Sequence, residues 1–224
     1  MTTTAPFPVT PRRDGDPVPD VLGMRLAHRT MLKDAARLTT RAEQFAAGAS
    51  GDVPAFSAYV RDYAFSVHHH HTVEDEILWP VIVESAGPHV DLSELSDDHA
   101  ALDPLLERLR STADGFAARP AEDSATALAT ALAELRDTLT EHIAEEEAEV
   151  FPVIERHLSV RDWAQVEARI RKRAKMSFEA PRNVLAATPA ELAKVKAEGG
   201  LPIKVLIALL VPPFRRRERA VFGS

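Results

Sequence analysis

The chain writes one pattern twice. His70-x3-Glu74-x5-Pro80, within HHTVEDEILWP, recurs 72 residues later as His142-x3-Glu146-x5-Pro152, within HIAEEEAEVFP. Upstream of each copy stands a further histidine, His28 in LAHRTML and His99 in DDHAALD, 71 residues apart. The unit is a histidine, about 42 residues, then H-x3-E, repeated once. Residues i and i+4 stack on one face of a helix, so an imidazole and a carboxylate at this spacing reach the same ion or two adjacent ions. The run His68 to His71 has to be read by spacing, because helical neighbours point about 100° apart and four in a row cannot all face inward.

Four long amphipathic segments carry these residues. The first, about 20–47, spaces Met24, His28, Met31, Ala35, Leu38 and Phe45 along one face and stops at Gly48. The second starts from Asp52 as N-cap with Pro54 just inside, and places Phe56, Tyr59, Tyr63, Val67, His70, Glu74 and Ile77 on its stripe. The third aligns Leu95, His99, Leu102, Leu106 and Leu109, with a bend expected at Pro104. The fourth, about 122–157, aligns Leu128, Leu132, Leu135, Leu139, His142, Glu146 and Val150. The breaks near 48–54, 86–91 and 114–121 are short, which predicts an all-α, up-down-up-down four-helix bundle.

In such a bundle His28, His70, Glu74, His99, His142 and Glu146 converge on the core. Leaving two carboxylates and four imidazoles buried without partners costs on the order of several kcal/mol each, and a pair of cations removes that cost. The absence of cysteine excludes disulfides, thiolate nucleophiles, iron–sulfur ligation and thiolate zinc sites, and fits a reducing, cytoplasmic setting.

The arrangement resembles the hemerythrin-like family, the HHE cation-binding domains, over roughly residues 20–158. Four helices, two ordered repeats and the trailing pairs Trp79-Pro80 and Phe151-Pro152 carry the resemblance. It implies a non-haem di-iron centre, oxo- or hydroxo-bridged, with His28, His70, His99 and His142 as terminal ligands and Glu74 and Glu146 as bridges. Nitrogen and oxygen donors of this kind also suit manganese or zinc. Oxygen-carrying members have a second histidine four residues after the first on the third helix, where this chain has Asp103. An aspartate there either ligates, hydrogen-bonds a bound water or stays outside the site, and it shifts the expectation from reversible oxygen carriage toward peroxide or oxygen chemistry.

The neighbours have plainer expectations. His68, His69 and His71 are expected in solvent or just behind the ligands, with His69 or His71 recruited only by a shift of register. Asp75, Glu76, Glu145, Glu147 and Glu149 read as a solvated face, although carrier members bridge with H-x4-D where Glu147 would fall. Tyr63, two turns before His70, is either a core aromatic or a hydroxyl just behind the metals, able to donate a proton or an electron. Trp79 and Phe151 are expected to pack the helix ends.

Residues 1–19 lack an apolar signal-peptide core and read as a flexible arm. Residues 159–224 form a basic helical extension: 14 Lys/Arg against 6 Asp/Glu from residue 161 on give +8, leaving −15 of the total of −7 for residues 1–160. Ser159 and Thr188 head two helices, the second ending at Gly199-Gly200. The run LPIKVLIALLVPPF is too short to span a bilayer. Three uses are expected of it: closing access to the metals, self-association, or lying on an anionic membrane surface. Nucleic acid is disfavoured, because aromatics do not interleave the basic clusters and the acidic bundle repels phosphate.

The function expected is a di-iron protein that binds dioxygen or hydrogen peroxide, with peroxide-decomposing or oxidative activity. The alternative is an oxygen- or iron-sensing or iron-binding module whose basic tail contacts a partner.

Overall fold

The computed structural model describes residues 4–87 and 90–223. Helices follow in the order α1 (Leu22–Ala46), α2 (Val53–Val73), a π-helical turn (Glu74–Leu78), α3 (Trp79–Ala86), α4 (Ser93–Ala118) and α5 (Glu122–His157). The extension adds α6 (Val160–Arg173), α7 (Met176–Ala186), α8 (Pro189–Glu198) and α9 (Gly200–Phe222). Among the described residues there is no strand. Residues 88 and 89, inside the second expected break, lie outside the described residues.

Helices α1, α2, α4 and α5 form a helical bundle in which α1 packs on α2 and α5, and α4 packs on α2 and α5. Local signals set their limits. Asp52 caps α2 by accepting from the Ala55 N–H at 2.9 Å, with Pro54 in the first turn where its missing N–H costs nothing. Gly48 ends the α1 region with φ +83°, which a side chain would resist. Pro104 sits inside a continuous α4.

The two repeats differ at their prolines. Pro152 lies within an unbroken α5, whereas Pro80 follows a π turn in which the Trp79 N–H reaches back five residues to the Glu74 carbonyl. Proline clashes with the carbonyl four residues back and offers no N–H, and a wider turn relieves both demands. This turn begins at Glu74, one of the expected ligands.

Two apolar layers fill the bundle. One contains Met31, Leu38, Phe56, Tyr59, Tyr63, Val67, Leu102, Leu135 and Leu139. The other contains Met24, Val73, Leu78, Trp79, Leu95, Val150 and Phe151. Along every bundle helix the expected ligands fall between the two: His28 between Met24 and Met31, His99 between Leu95 and Leu102, His142 between Leu139 and Val150.

The extension is built onto this bundle. Trp163 and Val166 of α6 join the second layer, and Phe178 of α7 with Phe214 and Val221 of α9 join the first. Each large apolar side chain buried this way contributes roughly 1.5–3 kcal/mol. At the seam Arg182 of α7 is buried, with Nε donating to Asp34 Oδ2 at 2.8 Å and Nη1 to Ser66 Oγ at 3.0 Å. Tyr59 donates to the same Asp34 oxygen at 2.8 Å. Ser159 and Thr188 cap α6 and α8 as their sequences imply, while α7 had no counterpart in the sequence reading.

The N-terminal stretch differs from the flexible arm expected of it. Phe7 is buried beneath Arg169, the Thr10 N–H donates to Asp162 Oδ2 at 2.8 Å, and the Arg12 N–H donates to the His157 carbonyl at 2.9 Å. One aromatic and a few backbone bonds suffice to lay an otherwise polar, proline-rich segment onto α6. No helix among the described residues is long and apolar enough to cross a membrane.

Candidate metal centre

Between the two apolar layers lie two groups of potential ligands. His28, His70, Glu74 and Glu146 form one, and His71, His99 and His142 the other; within each group, one donor atom per residue lies within 4.8 Å of the rest. In the first, His28 Nε2 is 3.0 Å from His70 Nε2 and 3.4 Å from Glu146 Oε2, and His70 Nε2 is 2.8 Å from Glu74 Oε1. The glutamates extend toward the second group: Glu74 Oε2 is 3.8 Å from His99 Nε2, and Glu146 Oε2 is 3.9 Å from His142 Nε2. Each carboxylate therefore stands between the two groups.

The polar atoms here have few partners from the protein. Glu74 Oε2, both Glu146 oxygens and both ring nitrogens of His71 and His142 are buried without a hydrogen bond. Burial pushes the Glu74 carboxyl up to about 8, and burial together with Glu74 raises Glu146 well above the carboxylate range. Burial also lowers His70 to about 3, and lowers His142 to about 4 with the neighbouring His99 adding to the effect. Buried carboxylates that resist ionising beside imidazoles that resist protonation are a poor arrangement for a bare protein and a suitable one for cations. Five imidazoles and two carboxylates, with no thiolate, suit borderline to hard divalent or trivalent metals.

Behind the histidines stand three acids, of which Glu147 and Asp75 were expected on a solvated face. Glu147 Oε1 is 3.0 Å from His28 Nδ1, and Asp75 Oδ2 is 3.0 Å from His99 Nδ1, though off the hydrogen-bonding direction. Asp98 Oδ2 is 3.6 Å from His142 Nδ1. A carboxylate at Nδ1 holds a proton there and leaves the Nε2 lone pair directed inward. The His28 contact depresses the Glu147 carboxyl below its usual range.

Trp79 and Phe151 do more than close helix ends. The Trp79 ring stacks on His99 at 5.8 Å and 18°, and Phe151 stacks on His28 at 5.8 Å and 10°. The two repeats thus act alike: the acid directly after each inward glutamate backs a histidine of another helix, and the aromatic four residues further on covers that same ring.

Of three further positions, His71 departs from its expectation, while Asp103 and Tyr63 each take one of the alternatives open to them. His71, expected in solvent or behind the ligands, is 4% exposed, and its ring centroid lies 4.6 Å from that of His99 and 5.1 Å from that of His142. The repeat concealed it, because Ile143 occupies the equivalent place after His142. The signal lay in the geometry of one turn: Glu74 is i+4 from His70 and i+3 from His71, hence about 40° from one and 60° from the other, so a central Glu74 brings both inward. Asp103 is not brought to the site. Its carboxylate is exposed and lies 3.3 Å from His68 Nδ1 on the outside of α2 and α4. Tyr63 is buried, with its hydroxyl donating to the Met31 carbonyl at 3.2 Å, which makes it a core aromatic with a satisfied polar end.

Two openings reach the ligands. A cleft of about 240 Å³, walled by α1 and α2 on one side and α6 and α7 on the other, has His70 and Glu74 in its lining. A smaller one of about 170 Å³ lies between α2 and α4 and reaches His71 and His99.

Comparison with curated proteins and with solved structures gives no match. The family model of the hemerythrin HHE cation-binding domain matches residues 22–154. That match spans more than half of the chain and covers every residue of both ligand groups, so the chain belongs to the hemerythrin HHE cation-binding family.

Proposed function

We propose that this chain holds two iron ions at the paired ligand groups and uses them to bind hydrogen peroxide or dioxygen, decomposing peroxide or directing its oxidising power. The observation that carries the reading is the placing of Glu74 and Glu146 between a His28/His70 group and a His71/His99/His142 group. The iron pair supplies electron transfer to and from the bound oxidant. In peroxide decomposition one molecule of hydrogen peroxide is reduced to two of water while a second is oxidised to dioxygen.

The protein's own residues set the conditions. Glu147 holds the Nδ1 proton of His28, and the carboxylates of Asp75 and Asp98 beside Nδ1 of His99 and His142 favour the same tautomer there, with Nε2 pointing inward. Trp79 and Phe151 cover His99 and His28 and keep bulk water from the imidazole faces. The two openings admit a molecule the size of peroxide to either ligand group. His68 and Asp103 stand at the mouth of the smaller one, as groups that can pass protons between solvent and site.

The test is oxygen evolution from hydrogen peroxide by the iron-loaded protein. It is expected in the parent and lost in His70→Ala and Glu146→Ala; undiminished evolution from both variants would overturn the reading.

A second reading, a sensing or iron-binding module that reports through its tail, is favoured by one feature. Leu201, Val205 and Leu209 form an exposed apolar stripe on α9, with exposed Lys204, Arg215 and Arg216 on the same helix. Self-association or attachment to an anionic membrane through that stripe would serve it. Metal-dependent co-sedimentation with phosphatidylglycerol vesicles would support this reading; equal sedimentation with and without metal would contradict it.

A further inference from the structure

The cleft beside His70 and Glu74 does not end at the metal ligands. It shares Gly23, Ala180 and Asn183 with a second cavity of about 180 Å³, lined almost wholly by aliphatic side chains of α1, α7, α8 and α9. An apolar cavity of about 150 Å³ accommodates benzene, so this one takes a tail of roughly six carbons. The walls of the first cleft suit a flexible guest. Met24, Met31 and Met176, the three methionines besides Met1, all line it, and unbranched thioether side chains re-pack around varied shapes.

Gly23 lines both spaces. It lies in the first turn of α1 with no positive φ, so the backbone does not require a glycine. A glycine within a helix weakens it relative to alanine, which points to a demand for space. A Cβ at this position would come within 3.1 Å of Glu167 Oε1, a carboxylate that lines the first cleft.

The polar groups at the junction favour a hydrogen-bond donor carrying positive charge. Glu179, in the lining of the cleft, shares the Arg182 guanidinium with the buried Asp34, so it does not have a cation to itself. Glu167 meets only Arg171, at 3.4 Å and largely in solvent, and burial raises its carboxyl above the usual range. The Asn183 carbonyl oxygen is buried without a donor. Every cation here already faces a carboxylate, so an anionic guest would find no free partner.

We propose that the cleft and the cavity together bind a small aliphatic amine in its ammonium form, the head among Glu167, Glu179 and Asn183 and the tail beyond Gly23 among the side chains of α8 and α9. The site stands whichever metal fills the neighbouring centre, and places the guest's head beside the His70 and Glu74 wall.

The test is titration of the full-length, metal-loaded protein with n-hexylamine at pH 7, followed by Trp163 fluorescence, since that ring lines the cleft. Hexanoate and hexan-1-ol serve as matched probes. Saturable binding of hexylammonium is expected, at least about tenfold tighter than hexanoate and weakened about tenfold by Glu167→Gln. Gly23→Leu and, from the far wall on α8, Leu192→Trp are each expected to abolish it with metal content and melting temperature unchanged. Three results would overturn the proposal: no saturable binding, hexanoate or hexanol binding as tightly as hexylammonium, or unaltered binding in whichever of the two blocking variants folds. Loss of binding on chelating the metal would also overturn it, by placing the amine nitrogen on the metal instead of on the carboxylates.

Discussion

His28 Nε2 and His70 Nε2 face each other at 3.0 Å across α1 and α2. Two ligand nitrogens about 2.1 Å from one ion and at right angles around it are about 3.0 Å apart, so the pair is already spaced for a shared cation. His28→Ala or His70→Ala is therefore expected to lose one of two metals while the His71/His99/His142 group keeps the other. Metal analysis of the purified variants checks this; two metals retained per chain would show that these nitrogens do not share an ion.

The acids behind the histidines are expected to matter without touching metal. Asp75→Asn and Glu147→Gln should each weaken metal affinity about 10- to 100-fold, the usual cost of losing a carboxylate behind a ligating imidazole. Competition against a chelator of known affinity measures it. Glu145→Gln, on an exposed position of the same turn as Glu147, should be neutral.

Metal uptake should release protons. In the metal-free protein the Glu74 carboxyl, raised to about 8, holds its proton at pH 7 and must give it up to a cation. Affinity should therefore fall as pH drops below about 8. The sign for folding is the reverse. A carboxyl whose folded value lies above its unfolded one favours the metal-free fold while protonated, and that contribution is lost as pH rises from about 4.5 toward 8. Calorimetric titration in two buffers of different ionisation enthalpy should show a buffer-dependent heat at pH 7; identical heats would contradict it.

The buried Arg182–Asp34 pair ties the extension to the bundle. Removing one partner leaves the other charge buried, so Arg182→Ala should cost about 3–5 kcal/mol, whereas Arg182→Met paired with Asp34→Leu should recover much of the loss. Urea denaturation of the single and double variants checks the magnitude, and early proteolysis within α7 in Arg182→Ala would locate it.

Much of this site was legible in the sequence because a helix turns spacing into direction. His28, His70, Glu74, His99, His142 and Glu146 each sit on an apolar stripe, and the repeat related them in pairs. His71 stayed hidden because it breaks the repeat, and because a rule that only one of two adjacent helical residues faces inward fails when the bundle centre lies between them. The roles of Asp75 and Glu147 are set by contacts between helices, which no spacing along one helix reveals. The extension was readable as helical and basic. Its attachment depends on Arg182 finding Asp34 from 148 residues away, and local pattern carries no information about that meeting. Asp103 shows the opposite case, a position singled out by analogy whose side chain turns to His68 and solvent.

Seven residues, His71 included and Asp103 excluded, are proposed to hold two metal ions. The most direct test is metal-to-protein stoichiometry in the full-length parent, in His71→Ala and in Asp103→Asn. Two ions per chain are expected in the parent and in Asp103→Asn, and about one in His71→Ala. Two ions in His71→Ala together with a loss in Asp103→Asn would contradict it.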